Sequence, residues 1–347
     1  MTEDQKSLKD FQTSKKVAKR PTYSQNWPAY DFAKTNEVTL FRQLLQELLD
    51  ASLPEDNSQH YGRKRILLKV RIFCICMKIY YRADLRKCVS ILREFQRLGY
   101  IEKVPSYRSI DYFLNDESLA PILDELISIS SLPLVSIEKT LAADSTGFSL
   151  SRFDQWSEFK WGKMNGKERR WVKAHALGGC LTNIILSVEI TKKYRNDAAV
   201  FQQLIKDKTV YFDAEEFVAD MAYSSKSIVE TCIKLGLMPF IPFKKNTSGK
   251  AGGSFNWKRM FIFFKENQEY FYQKYHQRSN IETSFHMVKK RFGDNLATNE
   301  PTANKIELKA KFLCHNICIL IQEAMEREVV IDFIDCAKMV NSVKLKT

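Results

Sequence analysis

The sequence predicts an α/β protein preceded by an all-helical region, and three observations predict it. From about 26 to 136, apolar residues recur at helical spacing, as in Leu40, Leu44, Leu45, Leu48 and Leu49. Past about 137 the texture turns β-rich, with "KTLAADSTGFSL", "WVKAHALGGC" and "NIILSVEITKKY" in succession. Beyond them strand-like and helix-like segments alternate, the pattern of a mixed sheet flanked by helices.

Taken in order, residues 1–25 read as a flexible basic arm carrying Lys15, Lys16, Lys19 and Arg20 before Pro21. The segment 63–82 is helical, with Leu67, Val70, Phe73, Cys74 and Met77 inward. Its other stripe, Lys64, Arg71, Lys78 and Arg82, stacks on one face; Lys64, Arg71 and Lys78 are candidate DNA contacts. "DLRKCVSILREFQRLGY" ends at Gly99, a helix stop, and Ser106 can cap a following short helix, "SYRSIDYFLN". Two helices joined by a turn fit either a DNA-reading helix-turn-helix or an ordinary helical bundle.

In the second half, Gly178 and Gly179 mark a hairpin between two strands, and Asn196 or Asp197 caps the helix "NDAAVFQQLI". "EFVADMAY" reads as a buried strand, "SSKSIVETCIKLG" as a helix ended by Gly236, and "MPFIPFKK" as another strand. The loop "KKNTSGKAGGS" lacks the first glycine and the Ser or Thr of a phosphate-binding P-loop, which excludes ATP binding there. From 303 a long helix closes the fold. The expected organisation is an arm (1–25), a helical domain (26–136), an α/β domain (137–330) with a short insertion at about 245–274, and a C-terminal tail (331–347).

With 54 Lys plus Arg against 41 Asp plus Glu, the net charge of +13 suits a polyanionic partner, nucleic acid above all. Eight cysteines without a paired zinc spacing read as reduced, buried thiols. The most apolar run, "ILLKVRIFCICMKIYY", is interrupted by Lys69, Arg71 and Lys78, so no membrane span is expected. The expected location is cytoplasmic, with the nucleoid.

Three acids stand out. Asp144 and Asp220 lie in otherwise apolar strands, where an acid is costly unless paired or bound to a cation. Glu282 lies on a helix with Tyr275, Arg278 and Lys289, at successive offsets of three, four and seven. At about 100° per residue those four side chains share roughly a 60° sector. Three carboxylates make a hard oxygen site suited to Mg²⁺ or Mn²⁺, and two such ions would serve in-line phosphoryl transfer. Ordinary structural roles are also open: Asp144 as a turn cap before Gly147, Asp220 as a helix cap, and Glu282 as the partner of Arg278 and His286.

Tyr275-x₂-Arg278-x₃-Glu282-x₆-Lys289 resembles the tyrosine–arginine–glutamate–lysine signature of a large group of prokaryotic insertion-sequence transposases. "WVKAH", "NDAAVFQQLI", "ADMAY" and "FIPFKKN" support the resemblance over roughly 140–320. It implies an RNase H-like catalytic domain with Asp144, Asp220 and Glu282 as catalytic and metal-holding residues. It also implies DNA ends as substrate, a homodimer in the active complex, and strand cleavage and joining without ATP. Arg278 and Lys289 would then contact phosphates, and Tyr275 a phosphate or the Glu282 helix. Lys173 and His175 are weaker candidates for DNA contact, and Trp257 for stacking on a base. A non-catalytic DNA-binding descendant and a structure-specific nuclease of the same fold are the alternative readings.

Overall fold

The computed structural model describes residues 26–54, 65–150, 171–205, 211–247, 249–250, 252–298 and 300–344. The basic arm and Lys64 lie outside the described residues. Five helices come first: α1 (Trp27–Ser52), α2 (Leu68–Tyr80), α3 (Leu85–Arg97), α4 (Tyr107–Leu114) and α5 (Leu119–Ser131). Helix α1 begins well before its leucine stripe, because Asn26 caps it and a proline occupies its first turn. Asp84 caps α3 by accepting from the backbone N–H groups of Arg86 and Lys87, and the Ser106 hydroxyl accepts from Ser109 N–H to start α4.

The sheet contains β1 (Thr140–Ser149), β2 (Trp171–Gly179), β3 (Ile185–Lys192), β4 (Glu216–Ala219) and β5 (Met238–Phe240), in spatial order β3-β2-β1-β4-β5. The first three strands form an antiparallel meander, and β4 and β5 run parallel to β1 and β4 respectively. This mixed sheet has the arrangement expected of an RNase H-like domain. Between and after its strands come α6 (Asp197–Ile205), α7 (Lys226–Lys234), α8 (Phe255–Glu266), α9 (Gln268–Tyr275), α10 (Ser279–Phe292), α11 (Pro301–Glu326) and α12 (Phe333–Lys344).

The structure corrects three expectations. Gly178 and Gly179 are the last residues of β2, and the turn follows them, with Asn183 at φ 66°. Their small size answers to packing: a Cβ on Gly179 would strike the Glu138 carboxyl, and one on Gly178 the Ile184 carbonyl. The charged stripe of α2 is not an outer face, because α2 packs against α1, α3, α4 and α11. Lys78 is buried, and Arg71 pairs with Asp116 at 3.2 Å. The expected tail is largely the helix α12, which rests on α1 and α5. All eight cysteines are free and buried, as expected.

The 26-residue α11 runs through the centre and packs on α1, α2, α5 and β3. Its buried Asn316 accepts from Ile185 N–H and donates to the Ile185 carbonyl and Ser130 hydroxyl, joining β3 to α5. Glu37 of α1 pairs with Arg291 of α10 and accepts from Tyr80 of α2 at 2.9 Å. Helical and sheet regions therefore share one apolar core.

Candidate active site

Strand geometry brings the first two acids together. Ala143 of β1 pairs with Ala219 of β4, so Asp144 and Asp220 follow on neighbouring parallel strands. That crevice beyond the carboxyl ends of parallel strands is where open α/β sheets place their ligands. Asp220 caps a short 3₁₀ turn, accepting from Ala222 N–H at 2.8 Å, so the ordinary capping role coexists with its position beside Asp144.

The expected single helical face over 275–289 is broken. Helix α9 ends at Tyr275, a 3₁₀ turn spans His276–Arg278, and α10 begins at Ser279. The tighter turn rotates the Tyr275 and Arg278 side chains relative to a continuous α-helix. Helix α10 seats Ile281, Ser284, Phe285, Val288 and Phe292 in the interior, so its signature residues border an apolar face that packs on β1 and β2.

Arg278 is the hub of the site. Its Nη1 donates to Asp144 Oδ2 at 2.8 Å and its Nη2 to Glu282 Oε1 at 2.5 Å. Its guanidinium also lies 5.9 Å from the centroid of the Tyr275 ring. Lys289 donates to the Thr146 hydroxyl at 2.6 Å and sits 5.2 Å from the Phe148 ring centroid. Burial pushes the Lys289 ammonium below its usual pKa, with Asp294 opposing. His286 is exposed on the same helix.

Burial also raises the Asp144 carboxyl above its ordinary pKa, and the like charges of Asp220 and Glu282 add to it. Ser145 N–H and Arg278 pull the other way. Three mutually repelling carboxylates with all-oxygen donors fit a hard divalent cation in kind. As the side chains stand, no three His, Cys, Asp or Glu among the described residues are grouped to hold a metal. The guanidinium of Arg278 lies between two of the three acids instead.

On the opposite face of β1 lies a cluster that sequence reasoning divided between a helix cap and DNA contacts. Ser145 and Gly147 pair with His175 and Lys173 of β2, which places these side chains on one face. Asp197, at the start of α6, lies 2.7 Å from Lys173 Nζ and 2.9 Å from His175 Nδ1, the latter off the line of a good hydrogen bond. His175 Nε2 is 2.8 Å from the Thr191 hydroxyl, and the ring is fully buried. Burial opposes ionisation of Asp197, but His175, Lys173 and Ser145 together hold its carboxyl down to about 2. His175 is thus held in the interior by Thr191 through Nε2, with Nδ1 beside Asp197 but not well aligned to it, and Lys173 is neutralised beside it. Tyr223, fully buried, is the neighbour of both faces: burial and the charges of Asp197, Asp144 and Asp220 raise its pKa. Its hydroxyl has no hydrogen-bond partner among the described residues.

Trp257 is also buried, its ring 4.7 Å from that of Phe243, in an aromatic cluster with Phe261, Phe264 and Phe271. Within the segment at 245–274, α8 and α9 form the part from Phe255 onward, and the described residues before it are turn and loop.

A family model described as a transposase DDE domain matches residues 136–317, more than half of the chain. The chain belongs to the transposase DDE-domain family. Among solved structures, a cryo-EM structure of the piggyBac transposase synaptic complex with hairpin DNA is similar at a TM-score of 0.40 and 11% identity. That alignment covers 89% of this chain and 82% of that one. No curated protein matches. In this transposase domain the matched span begins just before β1 and ends within α11, so Asp144, Asp220 and Glu282 all lie inside it. No helix among the described residues is long and apolar enough to cross a membrane.

Proposed function

We propose that the chain is the DNA transposase of a prokaryotic insertion sequence, of the group with the tyrosine–arginine–glutamate–lysine signature. It hydrolyses a phosphodiester at each end of its element to free a 3′-OH, and that hydroxyl then attacks target DNA by transesterification. Bond energy is conserved through the joining step, so no ATP enters. The observation that carries this reading is that Asp144 and Asp220 follow paired residues at the carboxyl ends of β1 and β4, with Glu282 joined to Asp144 through the Arg278 guanidinium.

Asp144, Asp220 and Glu282 would hold Mg²⁺ or Mn²⁺, which when bound stabilises the attacking and leaving oxygens of an in-line displacement. The chain's own residues do the rest. Arg278, shared between two carboxylates, would take up a DNA phosphate as a bidentate donor. Lys289, held at Thr146 against β1, adds a second cation beside the path of the strand. Tyr275 steadies the Arg278 guanidinium by its ring face. The helical region before β1, including the α3–α4 pair, would contribute DNA binding and pairing of two copies on two ends.

The test is nicking and joining of the element's ends with Mg²⁺ or Mn²⁺, comparing the wild type with Asp144→Asn, Asp220→Asn and Glu282→Gln. Each substitution is expected to abolish both products while leaving DNA affinity largely unchanged. A variant that still cleaves removes that residue from the site. Nicking without joined product favours a nuclease, and DNA binding without metal-dependent nicking in the wild type favours a non-catalytic descendant.

A further inference from the structure

A cleft of about 810 Å³ opens between the end of α2 and start of α3 on one side and the end of α10 with the loop behind it on the other. Lys78, Arg82 and Arg86 line it, facing Phe292 and Asn295. The chain spends backbone strain and buried charge here. Arg82 adopts φ 49°, a left-handed conformation unusual for a non-glycine residue, and its guanidinium lies against Gly293. Lys78 is only 6% exposed. Its side chain lines the cleft with no protein partner for its ammonium among the described residues.

The acids that line the cleft are already engaged. Asp84 accepts from Arg86 and Lys87 N–H groups to cap α3. Glu307 pairs with Lys311 at 3.1 Å and accepts from Ala297 N–H at 3.0 Å. Lys311 itself donates to the Gly293 and Asn295 carbonyls, and Lys78 and Arg82 lie close enough to lower its pKa, an effect smaller than those of burial and Glu307. The cleft therefore holds cationic charge in excess, next to the far end of the helix that carries Glu282.

We infer that this cleft is a phosphate site, in which Lys78 and Arg82 grip the backbone of the same DNA whose end reaches Asp144 and Glu282. The inference rests on the transposase reading. Helix α10 sets the spacing: the ten residues from Glu282 to Phe292 span about 15 Å at 1.5 Å per residue. DNA advances about 3.4 Å per base pair, so the gripped phosphate lies roughly four or five base pairs from the cut. Lys289 falls between the two along the same helix.

The experiment measures binding of a duplex carrying the element end at several salt concentrations, for wild type, Arg82→Gln, Lys78→Met and Lys78→Arg. Arg82 is exposed, so Arg82→Gln tests the site even where Lys78→Met folds poorly. Arg82→Gln and Lys78→Met are each expected to weaken binding about fivefold and to lower the slope of log affinity against log salt by about one. Lys78→Arg should retain the slope. On a duplex with neutral methylphosphonate linkages about four or five base pairs from the cut, wild type should fall to the level of the variants. Unchanged affinity and slope in Arg82→Gln and in folded Lys78→Met would overturn the inference. So would thermal stabilisation of wild type by inorganic phosphate, lost in both variants, with DNA binding unaffected: the cleft would then serve a small anion. A wild type that neither binds nor cuts element ends is a different failure, that of the transposase reading itself.

Discussion

The two faces of β1 carry similar charges and put them to different uses. On one face Arg278 spans Asp144 and Glu282, and the Glu282 side chain remains 54% exposed. On the other, Asp197 holds Lys173 and the buried His175, and His175 reaches Thr191. Adjacent residues of the strand, Asp144 and Ser145, belong to opposite clusters because strand side chains alternate. The first cluster has three acids to one guanidinium and opens to solvent; the second is closed and nearly balanced. Balance and closure mark a structural network, whereas surplus like charge at an open strand end marks a place for a ligand.

The largest effect expected from this contrast is on stability, at the closed face. Asp197→Ala leaves Lys173 without its counter-charge and the fully buried His175 without its neighbouring carboxylate. Removing one partner from a largely buried pair costs on the order of 3 kcal/mol, which denaturant unfolding would register directly. A loss below about 0.5 kcal/mol, the level of an ordinary surface substitution, would break the distinction between the two faces.

Acid titration gives a smaller effect with a definite sign. The Asp197 carboxyl falls from an ordinary 3.8 to about 2 in the folded chain. A depressed acid contributes stability that is fully present above the unfolded value and is lost as pH falls through the folded one. The window is therefore about pH 4 to 2, and the loss about 2 kcal/mol at 1.36 kcal/mol per unit. Asp197→Asn should flatten the stability-against-pH curve in that window relative to wild type. Parallel curves would mean that Asp197 is not the group that titrates there.

Much of this was legible in the sequence, and the remainder was hidden for physical reasons. Asp144 and Asp220 stood out because each interrupts an apolar strand, and Glu282 because its neighbours repeat at helical offsets. The mixed direction of the sheet followed from three successive strands and the alternation after them, whereas the strand order came only with the structure. Lys173 and His175 could not be distinguished from DNA contacts, since their partner Asp197 is more than twenty residues away and meets them only through the β2–β3 pairing. The burial of Lys78 was equally hidden: a charged stripe on a helix normally faces water, and only the packing of α11 and α3 around α2 encloses it. The 3₁₀ turn at His276–Arg278 carries no proline or glycine to announce it.

The smallest effect is the one that sharpens the comparison most. Glu282→Gln removes an i,i+4 ion pair whose acid is half exposed, and such pairs contribute under about 1 kcal/mol. Arg278 keeps its 2.8 Å bond to Asp144, and the apolar face of α10 is untouched. The variant should therefore unfold within about 0.5 kcal/mol of wild type while losing all nicking and joining. Equal stability with lost chemistry would assign the open face to function, as Asp197→Ala assigns the closed face to folding. A Glu282→Gln protein destabilised as much as Asp197→Ala would instead make the Arg278 bridge a structural tie, and the surplus charge of the open face would no longer be evidence for a ligand.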